Sequence, residues 1–600
     1  MTGPDAASRH LLAPILARGA PGHASADAVA LRRWTRPGRR GARVREEVTY
    51  AGLARRVEAT ATALAADGLV PGDRALFSVR PRPAGVALAL GVVRAGGTIV
   101  FVDPGSAPEL FAARVHAADP SLATTESLLY AVSRGPLRRL ARSRGLLLPD
   151  YASLPVRHVH AGPWLPGVPR GSRAAAALAA HPPDVARLPG LDPDREALAV
   201  FTSGTTAQPK AVVHTAGSLL AGTDLLRDVF ALAPGDVVHT DQMLLGIPAL
   251  LAGATWSVPA DPPGRDVTTF ARRLGDAAGT YLVPADVTLL LDAVEAGRIP
   301  ARGPRVALVG GAPVTRALLA RATRVLPGTR WVAVYGMTEI LPVAVVEAQD
   351  KLAHLGDGDL VGVPLPGTVA RVDPVEGDDL EEGGPEGDAR GVGELVLAGP
   401  SLMAGYLHDL DAPARGAGRR AAEHRTGDLA RIDAQGRVVL VGRTRDMIVR
   451  GTTNVYPGLH EPRVAALDGV GEALLVGVPL VDGDERVVLV VTSGTGRARS
   501  TPDAMRDAAP RATLDPSARV RLDPHHPLVA RVRAVLPTVL DHDALPDVVL
   551  HADRVPLAGR SRKPDRAALA RAAAPFVVPP VPARAGDTAV TGPGAGGGPA

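Results

Sequence analysis

The chain has 600 residues, with 67 lysines and arginines against 62 aspartates and glutamates, a net charge of +5, and only 22 % charged residues. That length holds several structural units and a large core, and the near balance of charge lacks the concentrated basic stripe of a nucleic-acid binder. The chain contains no cysteine, which excludes disulfide scaffolds, thiolate nucleophiles, iron–sulfur clusters and Cys-type zinc sites.

In chain order, the stretch MTGPDAASRHLLAPILARG has a short apolar run ended by Arg18 and does not read as a secretory signal. From Val48 to Asp103 the pattern alternates. TYAGLARRVEATATALAADG has helical spacing, RALFSV is a short strand, AGVALALGVVRAGG is a second helix and TIVFVD a second strand. Such alternation predicts a mostly parallel sheet with helices on both faces. Residues 104–195 are rich in Arg, Ala and Pro with weak periodicity, and yield no elements; the basic string RRLARSRG within them reads as a solvated helix face. Strands return at 197–201, 305–309 and 330–334, each expected to lead through a Gly-containing loop into a helix, so that ligands bind beyond their carboxyl ends. The charge-free stretch Gln242–Ala260 is interrupted by Gly246, Pro248, Gly253 and Pro259, and reads as core or pocket lining, not a membrane span. A cytoplasmic protein with no membrane span and no nucleic-acid partner is expected. From Gly391 short strands and turns take over, with a hairpin turn at Ala434–Gly436. A smaller α+β unit follows Asp446, and residues 576–600 read as a disordered tail.

Only three of the basic residues are lysine: Lys210, Lys351 and Lys563. Where arginine supplies positive charge almost everywhere, a retained lysine is a candidate for work that suits a compact ammonium, such as moving between phosphate oxygens. Lys351, in AQDKLAHLGDGD, has no such context and is expected at the surface. Lys210 closes TSGTTAQPK, directly after the strand ALAVF. Hydroxyls and small residues in a turn let backbone N–H and side-chain O–H groups close around phosphate oxygens, with Lys210 adding a cation. This is not the G-x-x-x-x-G-K-[ST] loop, because the chain has no Gly-Lys dipeptide. Taken alone, such a turn reads as a linker more often than as a ligand site.

TSGTTAQPK followed by AVVHT resembles the phosphate-loop signature of the acyl-adenylate-forming superfamily, which includes acyl-CoA synthetases, peptide-synthetase adenylation domains and luciferases. Further segments follow in the family's order over roughly residues 45–575. Gly310, Gly311, Ala312 and Pro313 resemble its GGAP turn, which borders the adenine and acyl pocket. VYGMTE resembles its YGxTE segment, which implies that Tyr335 and Gly336 flank the adenine, Thr338 contacts the α-phosphate and Glu339 holds Mg²⁺. GVGELVLAGPSLMAGY matches a structural segment. TGDLARID implies ribose binding by Asp428, and GRTRDMIVRG a ribose or phosphate contact from Arg443 and a hinge at Arg445. NVYP and Glu461 continue the acyl-CoA synthetase pattern, and PLAGRSRKPDRAAL implies that Lys563 reaches the active site during adenylation.

The resemblance, closest to acyl-CoA synthetases and fatty-acid–CoA ligases, implies an α/β fold: a large multi-sheet nucleotide- and acyl-binding domain over 1–444 and a small mobile α+β lid over 445–575. It implies catalytic Lys563, Thr338 and Lys210, nucleotide contacts from Thr202, Ser203, Gly204, Thr205 and Thr206, and the cofactors ATP, Mg²⁺ and CoA. The expected activity is conversion of an aliphatic or fatty acid to its acyl-adenylate, then transfer to CoA. Two alternatives stay open: an enzyme that loads a separate carrier protein or closes a β-lactone, since YGMTEILPV resembles some β-lactone synthetases, and a non-catalytic nucleotide-binding relative. The chain departs from the family pattern at Ala207 and Ala211, where glycines are usual, and at Thr452-Thr453, which lack a glycine of the acceptor-binding turn. The segment His239 to Ile247 lacks an aromatic–His pair and points to an aliphatic pocket. His525-His526 has no acidic or cysteine ligand at useful spacing and reads as solvent-exposed.

Overall fold

The computed structural model describes residues 4–36, 43–102, 108–134, 138, 148–201, 210–356, 358–374, 391–411, 421–443, 448–450, 453–455, 457–479, 485–494, 520–540, 544–558 and 563–577. The chain divides into two compact units, Met1–Val441 with Gly559–Lys563, and Gly442–Ala558 with Pro564–Ala600.

In the larger unit the alternation expected from Val48 is present as helix Tyr50–Ala66, strand Arg74–Ser78, helix Pro83–Arg94 and strand Thr98–Phe101. Thr49 caps the first helix by accepting from Gly52 N–H at 3.1 Å, and the apolar face of that helix is buried through Leu53, Val57 and Leu64. Where the two helices cross, a Cβ on Gly91 would lie 2.6 Å from the Thr60 methyl, so the close approach requires glycine. These strands belong to an eight-stranded sheet. Glu196–Phe201, Thr98–Phe101, Arg74–Ser78, Leu122–Glu126, Arg157–Ala161 and Arg173–Ala174 are parallel neighbours in that order, and Ala211–Thr215 and Gly405–Tyr406 extend one edge antiparallel.

A thirteen-stranded sheet has two halves. Val29–Trp34, Thr255–Val258, Val237–His239, Gly279–Leu282, Val306–Val309 and Arg330–Met337 run parallel, with Val44–Thr49 antiparallel at the edge. Ile340–Glu347, Asp359–Pro364, Val438–Arg443, His424–Ile432, Gly393–Ala398 and Val369–Asp373 continue it through antiparallel pairings.

Two of the three loops expected to enter helices instead return to a sheet. Strand Glu196–Phe201 is followed by the antiparallel strand Ala211–Thr215, and Arg330–Met337 by Ile340–Glu347; Val306–Val309 alone of the three leads on to a helix, Arg316–Val325. The runs AVVHT and ILPVAVVE are β-branched, which suits a pleated surface better than a helix. Residues 104–195, unreadable in sequence, carry helix Pro108–Ala118, strand Leu122–Glu126, helix Ser127–Ser133 and strand Arg157–Ala161 around buried Phe111, Tyr130 and Tyr151. Polar LATTE hides its strand because Thr124 is fully buried, its hydroxyl donating to the Leu76 carbonyl at 3.2 Å. Within Gln242–Ala260 the residues from Leu245 to Pro259 are buried, with helix Ile247–Ala252 and strand Thr255–Val258 in the core, while Gln242 is exposed. No described helix is long and apolar enough to cross a membrane.

Lys351 corrects its expected place at the surface. It is 2 % exposed, and its ammonium sits 2.6 Å from the Asp359 carboxylate. A buried lysine needs such a partner, which sequence spacing could not reveal.

In the smaller unit, strands Val470–Pro479, Glu485–Ser493, Val548–Ala552 and Leu522–Asp523 form a four-stranded sheet accompanied by helices Pro457–Ala465, Pro527–Val539 and Arg566–Val577. Glu461 is fixed there by a bidentate pair with Arg566 at 2.6 and 2.7 Å. His526 caps helix Pro527–Val539 and stacks on His551 with ring centroids 3.7 Å apart, so it is a packed side chain, while His525 is exposed. The last helix runs to Val577, two residues into the segment read as a tail from 576; the rest of that tail and most of RRLARSRG lie outside the described residues.

Candidate active site

The site starts from a hairpin. Met337 pairs with Ile340 across the turn between strands Arg330–Met337 and Ile340–Glu347, so Thr338 and Glu339 are its two loop residues. The register shifts between Tyr335 and Met337: the partner strand bulges, with Leu341, Pro342 and Val343 standing opposite Gly336 alone, where a Cβ would lie 2.6 Å from the Leu341 side chain. Four contacts hold the tip. The Thr338 carbonyl accepts from His214 Nε2 at 2.7 Å, and the Glu339 carbonyl from Met403 N–H at 2.8 Å. Glu339 Oε1 accepts from Tyr406 Oη at 3.2 Å, and Tyr335 Oη donates to Asp428 Oδ2 at 2.6 Å.

Because a carbonyl only accepts, His214 Nε2 must carry the proton, leaving Nδ1 facing Ser218 Oγ at 3.2 Å. Burial lowers the His214 pKa and keeps the ring neutral, against the pull of the Thr338 hydrogen bond and the Glu339 charge. Burial also raises the pKa of the Tyr406 phenol, with Glu339 adding to the effect, so the phenol stays a donor. Lys210 immediately precedes strand Ala211–Thr215, which pairs with Gly405–Tyr406; its Nζ lies 5.6 Å from the Tyr406 ring centroid.

Asp428 is 3 % exposed, on strand His424–Ile432. Thr426 Oγ1 accepts from its N–H at 3.0 Å, and Gly427, at φ 69°, supplies the left-handed turn that presents it. His424, four residues earlier, has a pKa lowered by burial, opposed by the charges of Glu339, Glu394 and Asp428; both site carboxylates are therefore within its electrostatic reach. The turn Gly310–Pro313 follows strand Val306–Val309, the parallel neighbour of Arg330–Met337. A Cβ on Gly310 would lie 2.9 Å from the Val334 carbonyl and 3.0 Å from Tyr281 Oη, so glycine is what lets this turn close against the next strand.

Of the expected residues, the structure thus joins Tyr335, Gly336, Thr338, Glu339 and Asp428 to Lys210, and sets Gly310, Gly311, Ala312 and Pro313 in the turn after the neighbouring strand. Thr202, Ser203, Gly204, Thr205, Thr206 and Arg445 lie outside the described residues; Arg443 and Lys563 are described in backbone only, on strands Val438–Arg443 and Lys563–Pro564. His214, Tyr406, His424 and Tyr281 were not foreseen. AVVHT and GPSLMAGY did hold two of them, but nothing in their spacing showed that they fold onto the YGMTE turn. The segment 239–247 also lacks an aromatic only in sequence: the Trp256 ring lies against Gly246, and Phe270 lies 4.8 Å from the buried His239 ring. Among the described residues no three metal-binding side chains cluster. One carboxylate at a turn still fits Mg²⁺, which keeps its waters and takes a carboxylate or two alongside substrate phosphates.

The chain belongs to the AMP-binding enzyme family, which matches residues 22–407. Over 519 residues it is 31 % identical to an olefin β-lactone synthetase of Xanthomonas campestris pv. campestris, covering 81 % of this chain and 87 % of that protein. It is also 31 % identical to a feruloyl-CoA synthase of an Amycolatopsis species, covering 72 % and 81 %. The fold matches the amide bond synthetase McbA of Marinactinospora thermotolerans with a TM-score of 0.68 at 24 % identity, over 94 % of this chain and 98 % of that one. The molecule accordingly has the α/β adenylate-forming fold and is an adenylate-forming enzyme.

Proposed function

We propose that this enzyme uses ATP to convert an aliphatic carboxylic acid into its acyl-adenylate, and then passes the acyl group to CoA. The observation that carries the first step is the joining of Tyr335, Glu339, Asp428 and Lys210 around one hairpin tip. A carboxylate is a poor electrophile until its oxygen is made a leaving group. In the proposed step the acid's carboxylate oxygen attacks the α-phosphorus of ATP, the bond to the β-phosphate oxygen breaks, and pyrophosphate departs. Lys210 and Lys563 meet the charge on the phosphates, Thr338 hydrogen-bonds the α-phosphate, and Asp428 accepts from the ribose hydroxyls while Tyr335 holds its other oxygen. Glu339 would hold Mg²⁺, which supplies charge neutralisation at the phosphates. Catalysis is then positioning and electrostatics. The thiol of CoA attacks the acyl carbon and AMP leaves. The acid is read as aliphatic from Met243, Leu244 and Leu245, and the enzyme as cytoplasmic, with Arg445 the hinge of a mobile lid.

A second reading, closure of a β-lactone by the substrate's own hydroxyl, is favoured by one observation: the β-lactone synthetase aligns over 81 % of this chain, against 72 % for the feruloyl-CoA synthase. ATP–pyrophosphate exchange over a panel of straight, branched, 3-hydroxy and aryl acids tests the first step, and mass detection of products with and without CoA tests the second. Exchange followed by acyl-CoA is expected. Exchange with a lactone and no acyl-CoA overturns the acceptor, and no exchange with any acid overturns the reading as a whole.

A further inference from the structure

Strands of both sheets bring six guanidinium groups together outside the nucleotide cluster. Arg80 and Arg82 follow strand Arg74–Ser78; Arg36 follows Val29–Trp34; Arg265 follows its parallel neighbour Thr255–Val258; Arg33 and Arg45 belong to the hairpin Val29–Trp34 and Val44–Thr49. Three carboxylates face them. Buried Glu126 accepts from Arg80 at 2.9 and 2.7 Å and has Arg82 at 3.6 Å. Buried Asp261 accepts from Arg36 at 2.5 and 2.6 Å and has Arg265 at 3.4 Å. Glu46, opposite Arg33 across the hairpin, is engaged by Arg56 at 2.7 Å.

Arg33 is left without a carboxylate in ion-pair reach among the described residues, and it is half-buried. Burial and the like charges of Arg82, Arg45 and Arg80, only partly offset by the Glu46 charge, bring its pKa down to about 10, and Arg80 in turn feels both Asp261 and Arg36. A cation held this way, with like charges outnumbering the one carboxylate near it, gains from a further anion among its neighbours. Planar guanidinium forks suit phosphate oxygens, and several of them converging suit a ligand with more than one phosphate. The position narrows the choice. Strand Arg74–Ser78 is two parallel strands from Glu196–Phe201, which leads on to Lys210, so Arg80 and Arg82 open on the same sheet edge about 10 Å from that strand. ATP is already accounted for at Lys210, Glu339 and Asp428. The remaining phosphate-bearing reactant is CoA.

We infer that the cluster of Arg33, Arg45, Arg80 and Arg82 binds the phosphate groups at the nucleotide end of CoA. This rests on the acyl-CoA reading above, and the test separates the two. Binding of CoA, dephospho-CoA and adenosine 3′,5′-bisphosphate to the full-length protein is measured by calorimetry for wild type, Arg33→Ala/Arg82→Ala and the exposed single variant Arg45→Glu, with ATP–pyrophosphate exchange as the control for folding. Wild type should bind CoA about tenfold more tightly than dephospho-CoA, and both variants should bind CoA about tenfold more weakly than wild type. Equal affinities for CoA and dephospho-CoA, CoA affinity unchanged in Arg45→Glu, or no binding of either nucleotide each overturn the site. Acyl-CoA formation with unchanged affinities removes the site and leaves the acyl-CoA reading standing. Arginine-dependent CoA binding without acyl-CoA formation does the reverse.

Discussion

The hairpin-tip cluster and the arginine cluster are two polar regions of one unit, and they are built on opposite principles. Around Thr338 and Glu339 each group meets a neutral or opposite partner: the Glu339 carboxylate a phenol, the Asp428 carboxylate a second phenol, the Lys210 ammonium a ring face, the Thr338 carbonyl a neutral imidazole. Those pairings fix directions, as a site must when its work is to hold phosphates in line for displacement. Around Arg33, seven guanidinium groups, Arg56 included, face three carboxylates, and the surplus fixes no direction. It sets a potential instead. The first arrangement suits chemistry and the second suits capture, which predicts that substitutions in the two regions separate into different kinetic steps.

The largest separation is expected from Lys563→Ala. Removing a cation proposed to meet developing phosphate charge should cost about 3 kcal/mol, on the order of a hundredfold in rate. ATP–pyrophosphate exchange should fall by that factor, while conversion of a pre-formed acyl-adenylate to product, supplied directly, should change little. Equal loss in both half-reactions would merge the two regions into one step.

The next lever is pH. The larger unit buries four histidines, His10, His160, His214 and His239, each with its pKa lowered by burial. Burial lowers His239 to about 3 and His10 to about 4, and lowers His214 as well. With folded values below the unfolded 6.5, the unfolded chain takes up protons first as pH falls, so stability is full above about 6.5 and is lost below it. At pH 5 the loss is about 2 kcal/mol for each of His239 and His10. Urea midpoints at pH 7 and pH 5 check this, with His10→Gln expected to flatten the slope. An unchanged midpoint would mean that these rings are not held neutral.

How much of this was legible follows from what sequence spacing records. The parallel strands and the helices Tyr50–Ala66 and Pro83–Arg94 announce themselves by period, and the YGMTE, GDL and GGAP segments by their residue types. What spacing does not record is which distant segment covers a turn. The fall of GPSLMAGY onto Glu339 is fixed by the pairing of Tyr406 with Val212, 194 positions away, and the burial of Lys351 by Asp359 on the next strand. Residues 104–195 stayed opaque because strand Leu122–Glu126 buries threonines and helix Pro108–Ala118 is alanine-rich, so the apolar period is erased although Phe111, Tyr130 and Tyr151 are buried. The arginine cluster was invisible for a related reason: its members come from four separate segments, each with an unremarkable share of the chain's arginine.

The finest test of the pairing principle is Tyr406, which meets Glu339 through its hydroxyl and Lys210 through its ring. Tyr406→Phe keeps the ring and removes the donor, and a hydrogen bond to a charged group is worth about 1.5 kcal/mol, so exchange should fall about tenfold. If the phenol works by orienting the carboxylate proposed to hold Mg²⁺, the loss should be concentrated in the Mg²⁺ dependence, with half-saturation moving to higher Mg²⁺ and the rate at saturating Mg²⁺ largely restored. Tyr406→Leu removes the ring as well, and a cation over an aromatic face at an accessible site contributes about 0.5–1 kcal/mol, a further few-fold that extra Mg²⁺ does not restore. A purely structural tyrosine would instead lower the unfolding midpoint in both variants and leave the Mg²⁺ curve in place. Because the two substitutions divide one side chain between a carboxylate and an ammonium, their difference measures whether the hairpin tip is held by directed pairs or by packing alone.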